Sequence, residues 1–135
     1  MRTALKILTG LLVGYASLVA LSASLLVVVQ PNRPETLTIA TTDDDGATRR
    51  RMLTRLEEGG TLFVSTNHWP RDWYWAVKAN PKVQVTTNGE HGNYLAVPIR
   101  DENERARLLA RFPKSFAFRF ITGFPRRDFV RLDPR

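Results

Sequence analysis

Between Trp69 and Val83 the chain reads WPRDWYWAVKANPKV, with three Trp and one Tyr inside seven residues. Rings at that density can wall a flat heteroaromatic group. They serve equally well as ordinary core or as a belt at a membrane surface. Other candidate groups are sparse. His68 and His91 stand alone, with no second ligand at metal spacing, so they read as loop or satisfied polar histidines and no metal site is expected. Asp43-Asp44-Asp45 lacks the spacing of a calcium loop and reads as a solvated turn. Arg49-Arg50-Arg51 could hold a phosphate, although a strand edge with outward charges explains two of the three. The chain contains no Cys, which removes disulfides, thiolate metal sites and a cysteine nucleophile. No Ser-His-Asp set is readable either.

The aromatic segment needs an element to carry it. Trp69, Trp73, Ala76, Val77 and Asn80 recur at helical spacing. Pro70 suits a first helical turn, and Asp72 suits the positive end of the dipole. Asn80 before Pro81 must leave the α region, so the spacing predicts a short helix that passes directly into a strand at Lys82. Around it the period is that of strands. Residues 35–42 (ETLTIATT) alternate, with Leu37 and Ile39 on one face. Asp43 to Gly46 is a turn, residues 47–57 read as a second strand, although a short helix fits Met52, Leu53 and Leu56 almost as well, and 61–66 read as a third after Gly59-Gly60. Residues 82–87 alternate again, Asn88-Gly89 favours a tight turn, and 94–99 form another strand.

Asp101 and Glu104 make a capping-box pair for a second helix. Ala106, Leu108, Leu109 and Phe112 would be its buried face, and Pro113 its end. Phe116, Phe118, Phe120 and Phe124 are too many to leave in water, which predicts packing on the barrel or on a membrane. Residues 129–132 close the sheet. The expected fold is α+β: a small antiparallel β-barrel with two short helices, over residues 35–135.

Residues 7–29 carry no charge. About twenty apolar residues span the hydrocarbon core as a helix, so residues 1–29 read as an amino-terminal tail and single-pass anchor. A cleaved signal peptide, cut near Ala20-Leu21-Ser22, is the rival reading. The apolar run continues through Leu25, Leu26 and Val27 to Val29, longer than a signal core, which favours the anchor. Arg2 and Lys6 flank the span closely, and the positive-inside rule turns that end inward and the domain to the non-cytoplasmic side. Arg33 and Arg49 to Arg51 weigh against this. Two prolines make residues 30–34 a short stiff connector. The net charge of +7 suits anionic partners such as phospholipid headgroups or a phosphate-bearing cofactor. No segment has the basic stripe interleaved with aromatics that nucleic acid would need.

The order of strands and turns, with WYWAVKANPKVQV and then DENERARLL, resembles the deazaflavin-dependent nitroreductases, small split-barrel relatives of flavin-binding reductases. The resemblance covers residues 36–133. Its most specific part is Trp73-Tyr74 followed by Lys78-Ala79-Asn80-Pro81-Lys82-Val83, where the family has an aromatic pair and then L-x-A-N-P-x-V. It implies Tyr74 as proton donor and Gly46, Arg49, Trp73 and Lys78 at a deazaflavin or FMN cofactor. The family's basic turn, G-R-K-x-G followed by Arg, falls on Thr42 to Gly46 and Arg49. The Gly and the Arg persist, but the two basic positions are Asp43 and Asp44. One like-charge pair at about 4 Å and an effective dielectric near 20 costs on the order of 4 kcal/mol, against about 1.4 kcal/mol for a tenfold loss of affinity.

Two function classes follow from the resemblance and this departure. One is a membrane-anchored oxidoreductase, moving hydride from a deazaflavin or flavin to a quinone- or nitro-type acceptor dissolved in the bilayer. The other is a non-catalytic accessory subunit of a larger membrane protein complex that kept the fold and binds no cofactor. The acidic turn favours the second, as does an outward-facing domain that a cytosolic deazaflavin could not reach.

Overall fold

A computed structural model describes residues 1–28 and 35–135, so the connector expected at 30–34 lies outside the described residues. Its elements are α1 (Arg2–Val28), β1 (Thr36–Thr42), β2 (Thr48–Thr54), β3 (Leu56–Glu58), β4 (Thr61–Ser65), α2 (Asp72–Ala79), β5 (Lys82–Thr87), β6 (Glu90–Pro98), α3 (Glu102–Arg111), α4 (Phe116–Ile121) and β7 (Phe129–Pro134). They fall into two compact units. One holds α1, the stretch His68–Pro70, and Lys114–Pro125 with α4. The other holds the seven strands with α2 and α3.

In the strand-bearing unit every pairing is antiparallel and the order is β2-β1-β5-β6-β7-β4-β3, a curled half-barrel sheet. The expected α+β split-barrel fold is present. Leu37 and Ile39 of β1 and Val83 and Val85 of β5 are buried, with the intervening residues turned outward, as a period of two demands. They form one core with Val64, Ala96, Val130 and Leu132, covered by Trp73, Tyr74 and Val77 of α2. Burying each such side chain stabilises by about 1.5–3 kcal/mol. A second cluster joins Leu56, Phe63, Ile99 and Phe129 to Leu108 of α3.

The punctuation residues act as their chemistry dictates. Asn80 is extended and ends α2 before Pro81. Asn88 and Gly89 take φ of 51° and 79° between β5 and β6, the positive-φ pair that a tight hairpin needs. Asp101 caps α3, its carboxylate accepting from the N–H groups of Asn103 and Glu104 at 2.7 and 3.2 Å.

Five details depart from the expectation. The single strand expected over 47–57 is two: β2 ends at Thr54 and pairs with β1, and β3 pairs with β4. α2 starts at Asp72, so Pro70 lies before the helix, after a cis Trp69–Pro70 bond. Trp69 therefore shares no helical face with Trp73. β6 begins at Glu90 rather than Tyr94, extending the hairpin to its turn. Ala106 is exposed on α3, because Leu108, Leu109 and Phe112 already fill the side that meets the sheet. The phenylalanine-rich stretch folds into a further short helix, α4.

Candidate functional site

α2 is a helix of eight residues that presents two unlike sides. Trp73, Tyr74 and Val77 face the core. Trp75 stays 54% exposed and stands edge-on to Tyr74, with ring centroids 5.5 Å apart. Trp73 meets Tyr74 from the other side, also edge-on, at 6.0 Å. Lys78 lies one helical turn on and extends its Nζ over both rings, 5.6 Å from the Tyr74 centroid and 5.0 Å from that of Trp75. A cation over an aromatic face is attracted by the ring quadrupole. The result is a Trp-Tyr-Trp row with a positive charge above its open end.

The environment of Tyr74 depends on residues far away in the chain. Burial is the largest influence on its hydroxyl and pushes it above the ordinary phenol range. The Asp128 carboxylate adds to the rise, while Arg71, Arg126 and Arg100 oppose it. Arg71, nearly buried, donates to Asp128 Oδ2 at 3.4 Å and to the carbonyl of Arg126 at 2.7 Å. Arg126 donates to Asp128 Oδ1 at 3.0 Å and to Glu102 at 2.7 Å, and Glu102 also accepts from Arg105 at 2.9 Å. Those two bonds, Arg126 first, hold the Glu102 carboxyl below its ordinary range. Arg71 and Asp128 were not singled out from the sequence. Nothing in a linear reading joins positions 57 residues apart.

The β1–β2 hairpin is tied to the far end of α2, where Asn80 Nδ2 donates to the carbonyl of Thr42 at 3.4 Å. The hairpin turn is closed by its own groups: Asp43 N–H donates to Ala47 O at 2.8 Å, Gly46 N–H to Asp43 O at 2.9 Å, and Ala47 N–H to Asp45 Oδ1 at 3.0 Å. Gly46 takes φ of 82°, which a side chain would strain. Arg49 points back to Asp43, with Nε 2.6 Å from Oδ2. Register pairs Thr41 with Arg49 and Ile39 with Arg51, so both arginines stand on the face of the sheet that α2 covers. Arg51 is half-buried. Desolvation lowers its pKa, and the field of Asp72 on α2 opposes that.

The structure thus gathers Trp73, Tyr74 and Lys78 on one helix, and Gly46 and Arg49 on the hairpin joined to its end. The aromatic row with Lys78 has the chemistry for a flat ring. The turn does not suit an anionic tail, since Asp43 occupies Arg49 and Asp44 and Asp45 project as exposed carboxylates. Among the described residues no cluster of His, Cys, Asp and Glu could hold a metal ion.

Residues 22–118 match the model of the F420H(2)-dependent quinone reductase family. No curated protein matches the chain. Among solved structures, the F420-H2 dependent reductase FDR-A is similar at 21% identity and a TM-score of 0.58, over 78% of this chain and 99% of that one. The heme storage protein HutZ of Vibrio cholerae is similar at 18% identity and a TM-score of 0.55, over 76% and 83%. A nimC/nimA family protein of Clostridium acetobutylicum follows at 15% and 0.52, over 73% of each chain. These identities show the fold alone. The family match covers most of the chain, in agreement with the deazaflavin-type reductase expected from Trp73-Tyr74 and Lys78 to Val83. The chain belongs to the F420H(2)-dependent quinone reductase family.

Proposed function

We propose that the protein is an oxidoreductase that passes hydride to a quinone-type acceptor and is held at a membrane by α1. The observation that carries this reading is the family match over residues 22–118; α2 offers the place. Trp73, Tyr74 and Trp75 would hold a reduced deazaflavin, which would supply the hydride. A quinone that takes one hydride still needs one proton to become a quinol. Tyr74, kept neutral by burial, is the donor within the chain. Lys78 over the rings favours negative charge developing on the reduced acceptor. α1 supports the anchoring, since it is apolar and long enough to cross a membrane, and an anchored domain stays beside a lipid-dissolved substrate.

A second reading rests on the hairpin: with Asp43 paired to Arg49, the domain is an accessory subunit that binds no cofactor. Absorbance of the protein purified in detergent separates the two. A chromophore that copurifies, or that binds when F420 or FMN is added and then turns over with a quinone, supports the reductase. A protein that stays colourless with both, and copurifies with other subunits, supports the second reading.

A further inference from the structure

The stretch Lys114–Pro125 reads KSFAFRFITGFP. Ser115 caps α4, its Oγ accepting from Phe118 N–H at 3.2 Å. At the other end, Thr122 donates to Phe118 O through N–H and Oγ1, and Phe124 N–H donates to Arg119 O at 2.8 Å. Of the last two carbonyls, Ile121 O finds its donor on α1, and Phe120 O, which also accepts from Gly123 N–H at 3.2 Å, gains a second donor there. Tyr15 Oη donates to Phe120 O at 2.9 Å, and Ser22 Oγ donates to Ile121 O at 2.5 Å. A helix end normally leaves such carbonyls to water. Here each of the four is satisfied within the protein, which is what hydrocarbon surroundings require. The packing agrees: the Tyr15 and Phe120 rings are 5.0 Å apart, and Gly123 sits so close to Val19 that a Cβ would meet it at 3.0 Å.

The side of α4 away from those contacts is apolar and uncovered. Phe116 is 70% exposed, and Phe120, Ile121 and Phe124 about 40%. The rings of Phe116, Phe120 and Phe124 lie 5.7 to 6.2 Å apart, as one cluster. Arg119 stands over Phe124 and Lys114 over Phe118. Over residues 2–26 α1 is exposed except for a stripe at Tyr15, Val19, Ser22, Ala23 and Leu26, and a helix apolar all round is stable only inside protein or lipid. The α4 contacts begin at Tyr15, about 20 Å along α1 from Arg2 at 1.5 Å per residue, well inside a hydrocarbon layer about 30 Å thick. A bilayer that takes up α1 therefore takes up α4 beside it.

We infer that α4 and its flanking turn are a second membrane-inserted element, docked on α1, with the phenylalanine cluster among acyl chains and Arg119 and Lys114 reaching anionic headgroups. The inference rests on the reading of α1 as a membrane helix. The chain lacks cysteine, so single-cysteine variants Leu11→Cys, Phe116→Cys and Glu90→Cys can carry a fluorophore in the full-length protein, reconstituted into phosphatidylcholine–phosphatidylglycerol vesicles. All three positions are exposed in the fold, and Phe116→Cys gives up ring contacts with Phe120 and Phe124 but no buried side chain. The expected result is that labels at 11 and 116 are quenched by nitroxides on the acyl chains and shielded from aqueous iodide, with the reverse at 90. If 116 behaves like 90 while 11 is lipid-protected, α4 lies outside the bilayer and the anchor stands. If 11 and 116 both meet iodide as readily as 90, the anchor itself is lost. Protection of 116 from both quenchers would overturn the inference in favour of a protein cover.

Discussion

On α2, the residues that fill the core and the residues that suit a ring are the same or adjacent: Trp73 and Tyr74 are buried, and Trp75 and Lys78 continue the row outward. The β1–β2 hairpin is joined to that helix through Asn80 and Thr42, yet its groups face one another. Asp43 holds Arg49, and Asp45 holds the turn backbone. A side chain needed for packing keeps its type whatever else it does. A charge on an exposed turn has no packing role, so its sign can reverse without cost to the fold. In the proposed site the ring end is therefore constrained twice, and the anion end only by a ligand.

The largest effect that would sharpen this contrast is on stability. Trp73→Ala should cost about 3–5 kcal/mol, the range for emptying a large buried aromatic site, whereas Trp75→Ala at its exposed position should cost under about 0.5 kcal/mol; thermal melts compare them. Equal losses would mean that α2 does not have two distinct sides. Next comes Tyr74→Phe, expected to lower quinone turnover by roughly 10²-fold, the lower range for a general acid, with cofactor affinity unchanged in a fluorescence titration. The same phenol predicts the pH response. Its pKa is raised by burial, so proton donation is fully present below the ordinary phenol value of about 10 and falls as pH rises through the higher folded value. A rate that falls between pH 6 and 8 would remove Tyr74 from that role.

The hairpin side is tested by making it basic. Asp43→Lys combined with Asp44→Lys should tighten F420 binding by about tenfold or more, since relieving one screened like-charge contact is worth at least about 1.4 kcal/mol. No change would place the anionic tail away from the turn. Smallest is Arg49→Ala. Its pair with Asp43 is exposed and surface ion pairs contribute about 0–1 kcal/mol, so the melting temperature should hardly move.

The local grammar of the chain was legible. Alternation at Leu37 and Ile39, Asn80 before Pro81, Asn88-Gly89, and Asp101 with Glu104 each work through neighbours within a few residues, and each stands where the pattern put it. Less was visible where contact is non-local. Nothing along the chain says that β5 lies beside β1 or that β7 joins β6 to β4. Arg71 reaches Asp128 only after folding, and Tyr15 reaches Phe120 across 105 positions. The start of the aromatic helix was misplaced because proline is favoured both inside a first turn and in the extended segment before one. Of the proposed site, the gathering of rings on one short helix was legible from residue type. The pairing of Arg49 with Asp43 follows from hairpin geometry, which composition does not encode.

The two hydroxyls that α1 lends to the end of α4 make the amino-terminal helix more than a tether. Shortening the protein to begin at Glu35, as a route to an easily handled soluble form, would strip Ile121 O of its Ser22 donor, leave Phe120 O with Gly123 N–H alone, and uncover Val19's place against Gly123. What such a truncation removes is a folding partner, and the loosened phenylalanine segment would then be the first part to clump.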